Sequence, residues 1–312
     1  MANEFTRTLS ERLINDLKNA QLFDLLKKDI KAGKVFPAIR NNTIQFYYNG
    51  CLLFKYTQKG FETHYKYLMN NALSNSDKYV RNDGTAPIDP SDFIIRDFIS
   101  GYESIKQSIN TYAKPEALLT SGFYDKSFLK EGVKGDYLLI DIEAAFEKQP
   151  KVVADCDTQL ADIQNGKRKG TDRIDAVFYD VKQHRIVFCE VKRFDDDRIV
   201  PKDGNIEVLD QLQRYEDQIA KRRDEIIQAY NNSFKVYEKL FKESNSAKPF
   251  DFTVEDIYYQ AILFVTGYPR LLYGESDAKK DVEKIIDDNG FKVHFADRAS
   301  GTALNDICKM CK

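Results

Sequence analysis

Between Arg173 and Phe194 the chain reads RIDAVFYDVKQHRIVFCEVKRF, and three ionisable residues, Asp175, Glu190 and Lys192, stand among Val, Phe and Ile. Two runs of alternating apolar residues flank a polar turn, the pattern of a β-hairpin. With the turn centred between Lys182 and Gln183, Asp175 faces Glu190, Val177 faces Phe188 and Tyr179 faces Ile186. Lys192 lies two residues past Glu190 and projects from the same face. The opposite face carries Ile174, Ala176, Phe178, Val187, Cys189 and Val191, all apolar, and is expected to be core. A slip of one residue would carry the charged trio into that core, so the pattern itself selects the register.

Two carboxylates directly across a ladder repel each other unless positive charge sits between them. Lys192 supplies part of that charge. A divalent cation would supply more, because Mg²⁺ prefers hard oxygen ligands and takes one or two carboxylates with water and phosphate. The alternative is an exposed hairpin face on which Lys192 is shared between two acids in a solvated ion cluster. The hairpin alone supports both readings equally. The segment IEVLDQLQRYEDQIAKRRDEIIQAY, beginning near Ile206, reads as a long helix whose stripe Leu209, Leu212, Ile219, Ile226 packs inward. Gln211 and Tyr215 are four apart and share a face at the rim of that stripe. An amide and a phenol there suit contacts to a phosphate or to the lysine, although the spacing alone is a weak signal that reads first as a helix boundary.

In combination, an Asp, a Glu-x-Lys on the following strand and a Gln-x-x-x-Tyr on the next helix resemble the PD-(D/E)xK nuclease superfamily. The Gln-Tyr element is most similar to its helicase-associated, exonuclease-type branch. The resemblance runs from about Gly132 to the C-terminus, and Ile174 stands where the family often has proline. It implies a restriction-endonuclease-like fold and metal-dependent hydrolysis of phosphodiester bonds, with DNA as the substrate. By the same resemblance Asp175, Glu190 and the Val191 carbonyl are metal ligands for Mg²⁺ or Mn²⁺. Lys192 orients or activates the attacking water, or stabilises charge at the phosphate; Gln211 and Tyr215 hold the lysine or the scissile strand. A further upstream acid is implied, for which Asp141, Glu143 and Glu147 are candidates and Glu143 is preferred. The competing function is a non-catalytic module that binds nucleic acid or a protein partner on a nuclease fold.

The elements that must position these residues are legible in outline. Residues 1–33 read as an amphipathic helix. TIQFYYNGCLLFKYT reads as a hairpin turning at Asn49-Gly50, a pair that tolerates positive φ at both turn positions. GTAPIDPSDF is a loop ending in an N-cap at Ser91, with helix expected onward to about Ala113. Pro115 marks the expected boundary between an N-terminal α+β module, residues 1–115, and a nuclease-type domain, residues 116–312. YLLIDIEAAFEK reads as a strand running into a helix; if it is all strand, Asp141 and Glu143 share one face. KVVADCDTQLADIQNGKRKGT reads as a strand and a polar loop, DIYYQAILFVTGY as an apolar strand, SDAKKDVEKIIDDNG as a helix and FKVHFAD as a last strand. The expected class is α/β (α+β), a mixed central sheet flanked by helices with a separate N-terminal module. That module is the expected place for recognition of substrate or a protein partner.

Composition narrows the remaining classes. Among 312 residues, 42% are hydrophobic and 31% charged, which describes a globular chain with a real core. Net charge is −2, so no global field draws the protein onto nucleic acid, and local basic groups such as Lys167-Arg168-Lys169, Lys192-Arg193 and Lys221-Arg222-Arg223 would have to do so. No apolar run approaches the roughly 20 residues of a membrane span, and the N-terminus lacks the pattern of a secretion signal. Five cysteines without framework spacing fit a reducing compartment, so a cytoplasmic protein is expected. Cys308 and Cys311 are half of a zinc site at most. The three histidines are scattered, Asp195–Asp197 read as a solvated loop, and no phosphate-binding glycine loop is present.

Overall fold

Ser10 opens the first helix by accepting a hydrogen bond from the Leu13 N–H at 3.3 Å, an N-cap that satisfies an otherwise orphaned donor. Helix α1 (Glu11–Lys18) buries Leu13, Ile14 and Leu17. The chain then breaks at Asn19-Ala20, where Ala20 is extended, and α2 (Gln21–Lys31) starts afresh to bury Leu22, Phe23, Leu26 and Ile30. The single helix expected over residues 1–33 is therefore two, each laying its apolar stripe on the same core. This computed structural model describes residues 5–69, 79–81, 93–146, 173–201, 205–242, 252–267, 277–297 and 311.

Strands β1 (Val35–Arg40), β2 (Thr43–Tyr48), β3 (Cys51–Thr57), β4 (Gly60–His64) and β5 (Tyr79–Arg81) form an antiparallel sheet in chain order. Asn49 and Gly50, at φ 50° and 74°, close the β2–β3 hairpin as expected, with Tyr48 paired to Cys51. Helix α3 (Tyr102–Tyr112) begins later than the sequence pattern indicates; the expected cap at Ser91 lies outside the described residues. Pro115 is the first residue of α4 (Pro115–Ser121), a position where its missing N–H costs nothing. A Cβ on Gly50 would lie 1.6 Å from the Ala117 carbonyl oxygen, so this helix abuts the hairpin turn directly.

The second sheet holds β6 (Tyr137–Ala145), β7 (Arg173–Asp180), β8 (Arg185–Arg193), β9 (Asp256–Ile257), β10 (Ile262–Thr266) and β11 (Lys292–Ala296). Its order is β11-β10-β8-β7-β6, with β9 also paired to β8. The β6–β7–β8 pairs are antiparallel and the β8–β10–β11 pairs parallel, which makes the sheet mixed. Residues 137–145 are strand throughout. The segment 151–171 lies outside the described residues. The helix expected from Ile206 is two, α5 (Val208–Lys221) and α6 (Arg223–Phe241), interrupted at Arg222, whose guanidinium bonds the Phe146 carbonyl at the end of β6 and Glu225. Helix α7 (Asp277–Asp288) precedes β11.

Both faces of the β7–β8 hairpin are buried, where the sequence pattern assigned one face to the core. Ala176, Phe178, Val187 and Cys189 pack with Phe123 and Phe264. Val177, Tyr179, Ile186 and Phe188 pack with Leu212, Tyr215, Tyr230 and Phe234 from α5 and α6. The core is continuous across residue 115, since Leu17, Phe46 and Ile105 belong to the same cluster as Phe188, Tyr230 and Leu263. Polar ties cross as well: the Tyr237 hydroxyl accepts from Ile39 N–H at 3.3 Å and donates to Pro37 O at 2.9 Å. The described residues thus form a mixed α/β structure of seven helices and two sheets. Among them no helix is long and apolar enough to cross a membrane.

Candidate active site

The β7–β8 ladder has the expected register, with Val177 opposite Phe188, Tyr179 opposite Ile186 and a last regular pair at Ala176 and Cys189. One step further the main-chain ladder gives way to a side chain: Val191 N–H donates to Asp175 Oδ2 at 2.8 Å. Asp175 thereby stands beside Glu190 at the end where the two strands part. On its other side, the pairs Ile142–Ala176 and Ala144–Ile174 place Glu143 across from Asp175. Glu143, Asp175 and Glu190 therefore lie in one line across β6, β7 and β8. Glu143 reaches its position with φ at 51°, outside strand geometry.

Glu190 and Lys192 are only 1% and 4% exposed, which excludes the solvated hairpin face. Lys192 Nζ donates to Glu190 Oε1, and Gln211 Nε2 donates to the same oxygen at 2.8 Å. The other hydrogen of the Gln211 amide goes to the Tyr215 oxygen. Tyr215 in turn shares its hydroxyl hydrogen between Glu190 Oε2, at 3.0 Å, and the Arg173 carbonyl. Gln211 is half-buried, but Tyr215 is fully buried and not at the rim of its helix stripe as the spacing indicated. A phenol can sit that deep only because its polar end is satisfied by β7 and β8. Asp175 and Glu143 are half-buried and form the accessible side of the line.

The electrostatics are those of carboxylates short of positive charge. Burial pushes Glu190 up to about 7, with Asp175 adding repulsion that Lys192 only partly offsets. Asp175 rises to about 6, again first through burial, with Glu143 raising it and Lys192 lowering it. Burial raises Glu143 too, against Arg173, whose NH1 lies 3.7 Å from Glu143 Oε2. Lys192 would be lowered by burial, but Glu190 and Asp175 outweigh that and hold it above the ordinary lysine value. A buried ion pair of this kind contributes little to stability, and perturbed acids gathered around one lysine make this cluster a candidate site.

Of the three candidates for the upstream acid, Asp141 is elsewhere. It accepts from Arg7 Nε at 3.0 Å, Arg40 NH1 at 2.8 Å, Tyr230 OH at 3.0 Å and its neighbour's Ile142 N–H at 2.9 Å. These arginines hold it below the usual carboxylate range although burial works the other way. The strand register keeps Asp141 and Glu143 at same-face positions, Asp141 opposite Val177 and Glu143 across from Asp175. What separates them is their partners, since two arginines and Tyr230 close off Asp141 while Glu143, at positive φ, stands beside Asp175. Glu147 lies outside the described residues. Arg40, Arg173 and Arg198 were not singled out by motif. Arg198, braced by Asp196 at 2.8 Å, lowers both Asp175 and Lys192 from the loop after β8. No spacing rule would have found Arg40 and Arg173, whose acid partners Asp141 and Glu143 are distant in sequence.

The oxygens present suit a hard divalent cation by their chemistry. A carboxylate has about four acceptor sites, and Glu190 uses three, leaving one on Oε2. Asp175 Oδ1 accepts no hydrogen bond among the described residues. Val191 places its N–H on Asp175, next to the carbonyl that the resemblance makes a ligand. Among the described residues no three His, Cys, Asp or Glu side chains are grouped closely enough to enclose a metal; Arg173 lies 3.7 Å from Glu143, and Lys192 bonds Glu190. Of the basic groups, Arg193 is paired to Asp195 at 2.7 Å, Arg222 to Glu225 at 2.8 Å and Arg223 to Asp256 at 2.7 Å, while residues 167–169 lie outside the described part. Cys311 is buried and Cys308 lies outside the described residues.

No protein-family model, curated protein or solved structure matches this chain.

Proposed function

We propose that this protein is a metal-dependent nuclease of the PD-(D/E)xK type, built on a restriction-endonuclease-like sheet, that hydrolyses phosphodiester bonds in DNA. The observation that carries the reading is the convergence of Lys192, Gln211 and Tyr215 on Glu190, one strand from Asp175, at a point where β7 and β8 part. Asp175, Glu190 and Glu143 would hold Mg²⁺ or Mn²⁺, with the Val191 carbonyl beside them. When bound, the cation supplies charge for the phosphate oxygens and a more acidic water.

The chain's own residues have separable tasks in this reading. Gln211 and Tyr215 fix the Glu190 carboxylate in one orientation, which keeps the acceptor site on Oε2 aimed consistently. Lys192 is held as an ammonium, so it serves as a cation against charge developing on the phosphate and does not take a proton from water. Half-buried Asp175 and Glu143 would meet the scissile phosphate side, with Arg198 on the loop after β8 as a further cation for an adjacent phosphate. The N-terminal sheet would add contacts to DNA or to a protein partner, in a cytoplasmic, reducing setting consistent with Cys51, Cys189 and Cys311 lying outside any disulfide.

Purified protein incubated with linear, circular, single-stranded and branched DNA should cleave at least one of these with Mg²⁺ and stop with EDTA. Absence of cleavage of any of them with Mg²⁺ or Mn²⁺ contradicts the reading. A second reading, a binding module on a nuclease fold, is favoured by the closed network around Glu190, three of whose acceptor sites are filled from within the chain. Mn²⁺ titration separates the two: a pure binder has no Mn²⁺ site that depends on Asp175 and Glu190.

A further inference from the structure

We propose that Arg40, on the N-terminal sheet, is a positioning residue for the acid line: it holds Glu143 in the backbone conformation that sets it across from Asp175. The proposal rests on the nuclease reading above and extends it to a part of the chain that the motif does not reach.

Glu143 is in the left-handed region at φ 51°, where a residue with a Cβ is strained and persists only when its surroundings over-determine it. Arg40 does so by gripping three successive residues of β6. Its NH1 donates to Asp141 Oδ1 at 2.8 Å, and its NH2 donates to the Ile142 carbonyl and, at 3.3 Å, to the Glu143 carbonyl. NH1 also donates to Arg40's own neighbour, the Ile39 carbonyl, at 3.0 Å, which ties the grip to β1. Both carbonyls flanking the Glu143 amide and α-carbon are thus fixed by one planar group. Only a guanidinium presents donors in that fork; a lysine ammonium reaches one or two of the sites as a point charge.

Arg7 separates this role from simple stabilisation. It donates to the other Asp141 oxygen at 3.0 Å and, unlike Arg40, has no bond to the 142 or 143 carbonyls; its remaining main-chain bond is to Thr6 O. Loss of Arg7 therefore removes half of the same buried ion cluster without releasing Glu143. Residues 5–40 thus act on the site through one arginine of the two.

The test compares Arg40→Lys, Arg40→Ala and Arg7→Ala in the full chain, using Mn²⁺ binding by electron paramagnetic resonance, DNA affinity in EDTA and thermal midpoint. Arg40→Lys should weaken Mn²⁺ binding about 10- to 100-fold, as loss of a group supporting a metal ligand does, with DNA affinity in EDTA unchanged. Arg7→Ala should lower the thermal midpoint while its Mn²⁺ affinity stays at the parent value. Arg40→Ala should match or exceed the Arg40→Lys loss, and if it fails to fold the lysine variant decides alone. A folded Arg40→Lys protein with the parent's Mn²⁺ affinity overturns the proposal, as does an equal loss in Arg7→Ala. A parent protein with no carboxylate-dependent Mn²⁺ site overturns the nuclease reading itself, a result distinct from the other two.

Discussion

Tyr215 and Glu190, 25 positions apart in the chain, meet through a hydroxyl-to-carboxylate hydrogen bond of 3.0 Å in a fully buried setting. Because Gln211 on the same helix donates to the other Glu190 oxygen at 2.8 Å, one face of α5 fixes both oxygens of the acid. Tyr215→Phe should leave Glu190 Oε2 and the Arg173 carbonyl short of a donor and cost about 1–3 kcal/mol in urea unfolding. The same change should reduce Mg²⁺-dependent cleavage about 10- to 100-fold. Gln211→Ala should act in the same direction.

The metal-free protein should lose stability as pH rises through about 6 to 7. Asp175 at about 6 and Glu190 at about 7 both lie above their ordinary values, so the fold favours their neutral forms. Their contribution is fully present below the unfolded carboxylate range and is lost as pH rises through the folded values. Thermal midpoints in EDTA from pH 4.5 to 8 should therefore show a downward component that Glu190→Gln reduces. An unchanged profile in that variant contradicts the assignment.

Asp141 acts in the opposite direction. It is held below the usual range, so its stabilising contribution is present above the unfolded carboxylate value and is lost as pH falls through its folded value. Asp141→Asn strips the charge that balances Arg7 and Arg40 in a buried cluster and should cost about 3–5 kcal/mol in denaturant unfolding. The loss should exceed that of Glu143→Gln, whose partner Arg173 is half-buried and 3.7 Å away.

Gly50 is demanded twice over, by its φ of 74° and by the Ala117 carbonyl 1.6 Å from where a Cβ would stand. Gly50→Ala should destabilise by about 2–4 kcal/mol, because both the turn and the approach of α4 must give. Gly60→Ala, also at positive φ but with open space around its Cβ, should cost less. Chemical denaturation of the two variants side by side measures the difference.

The hairpin of the site was legible because its charges alternate with apolar residues: a strand has a period of two, and only one register keeps Asp175, Glu190 and Lys192 together. The Gln211–Tyr215 pair was legible as spacing, yet not its depth, since burial of Tyr215 depends on Glu190 and the Arg173 carbonyl reaching it from other strands. The third acid was ambiguous for a related reason. Strand alternation treats Asp141 and Glu143 alike; what separates them is a positive φ at Glu143 and two arginines, one of them 134 residues from Asp141 in the chain. The breaks at Ala20 and Arg222 carry no proline or glycine, and at Arg222 the chain is tied to the distant Phe146 carbonyl, a contact that local propensity does not encode.

The most direct test of the central claim is a parallel cleavage assay of the parent, Glu190→Gln and Lys192→Met proteins on DNA, with Mg²⁺ and with EDTA. The account predicts Mg²⁺-dependent hydrolysis by the parent, abolished by EDTA and reduced about 100-fold or more in both variants while they remain folded. Folded variants that cleave at the parent rate, or cleavage by the parent that persists in EDTA, would contradict it.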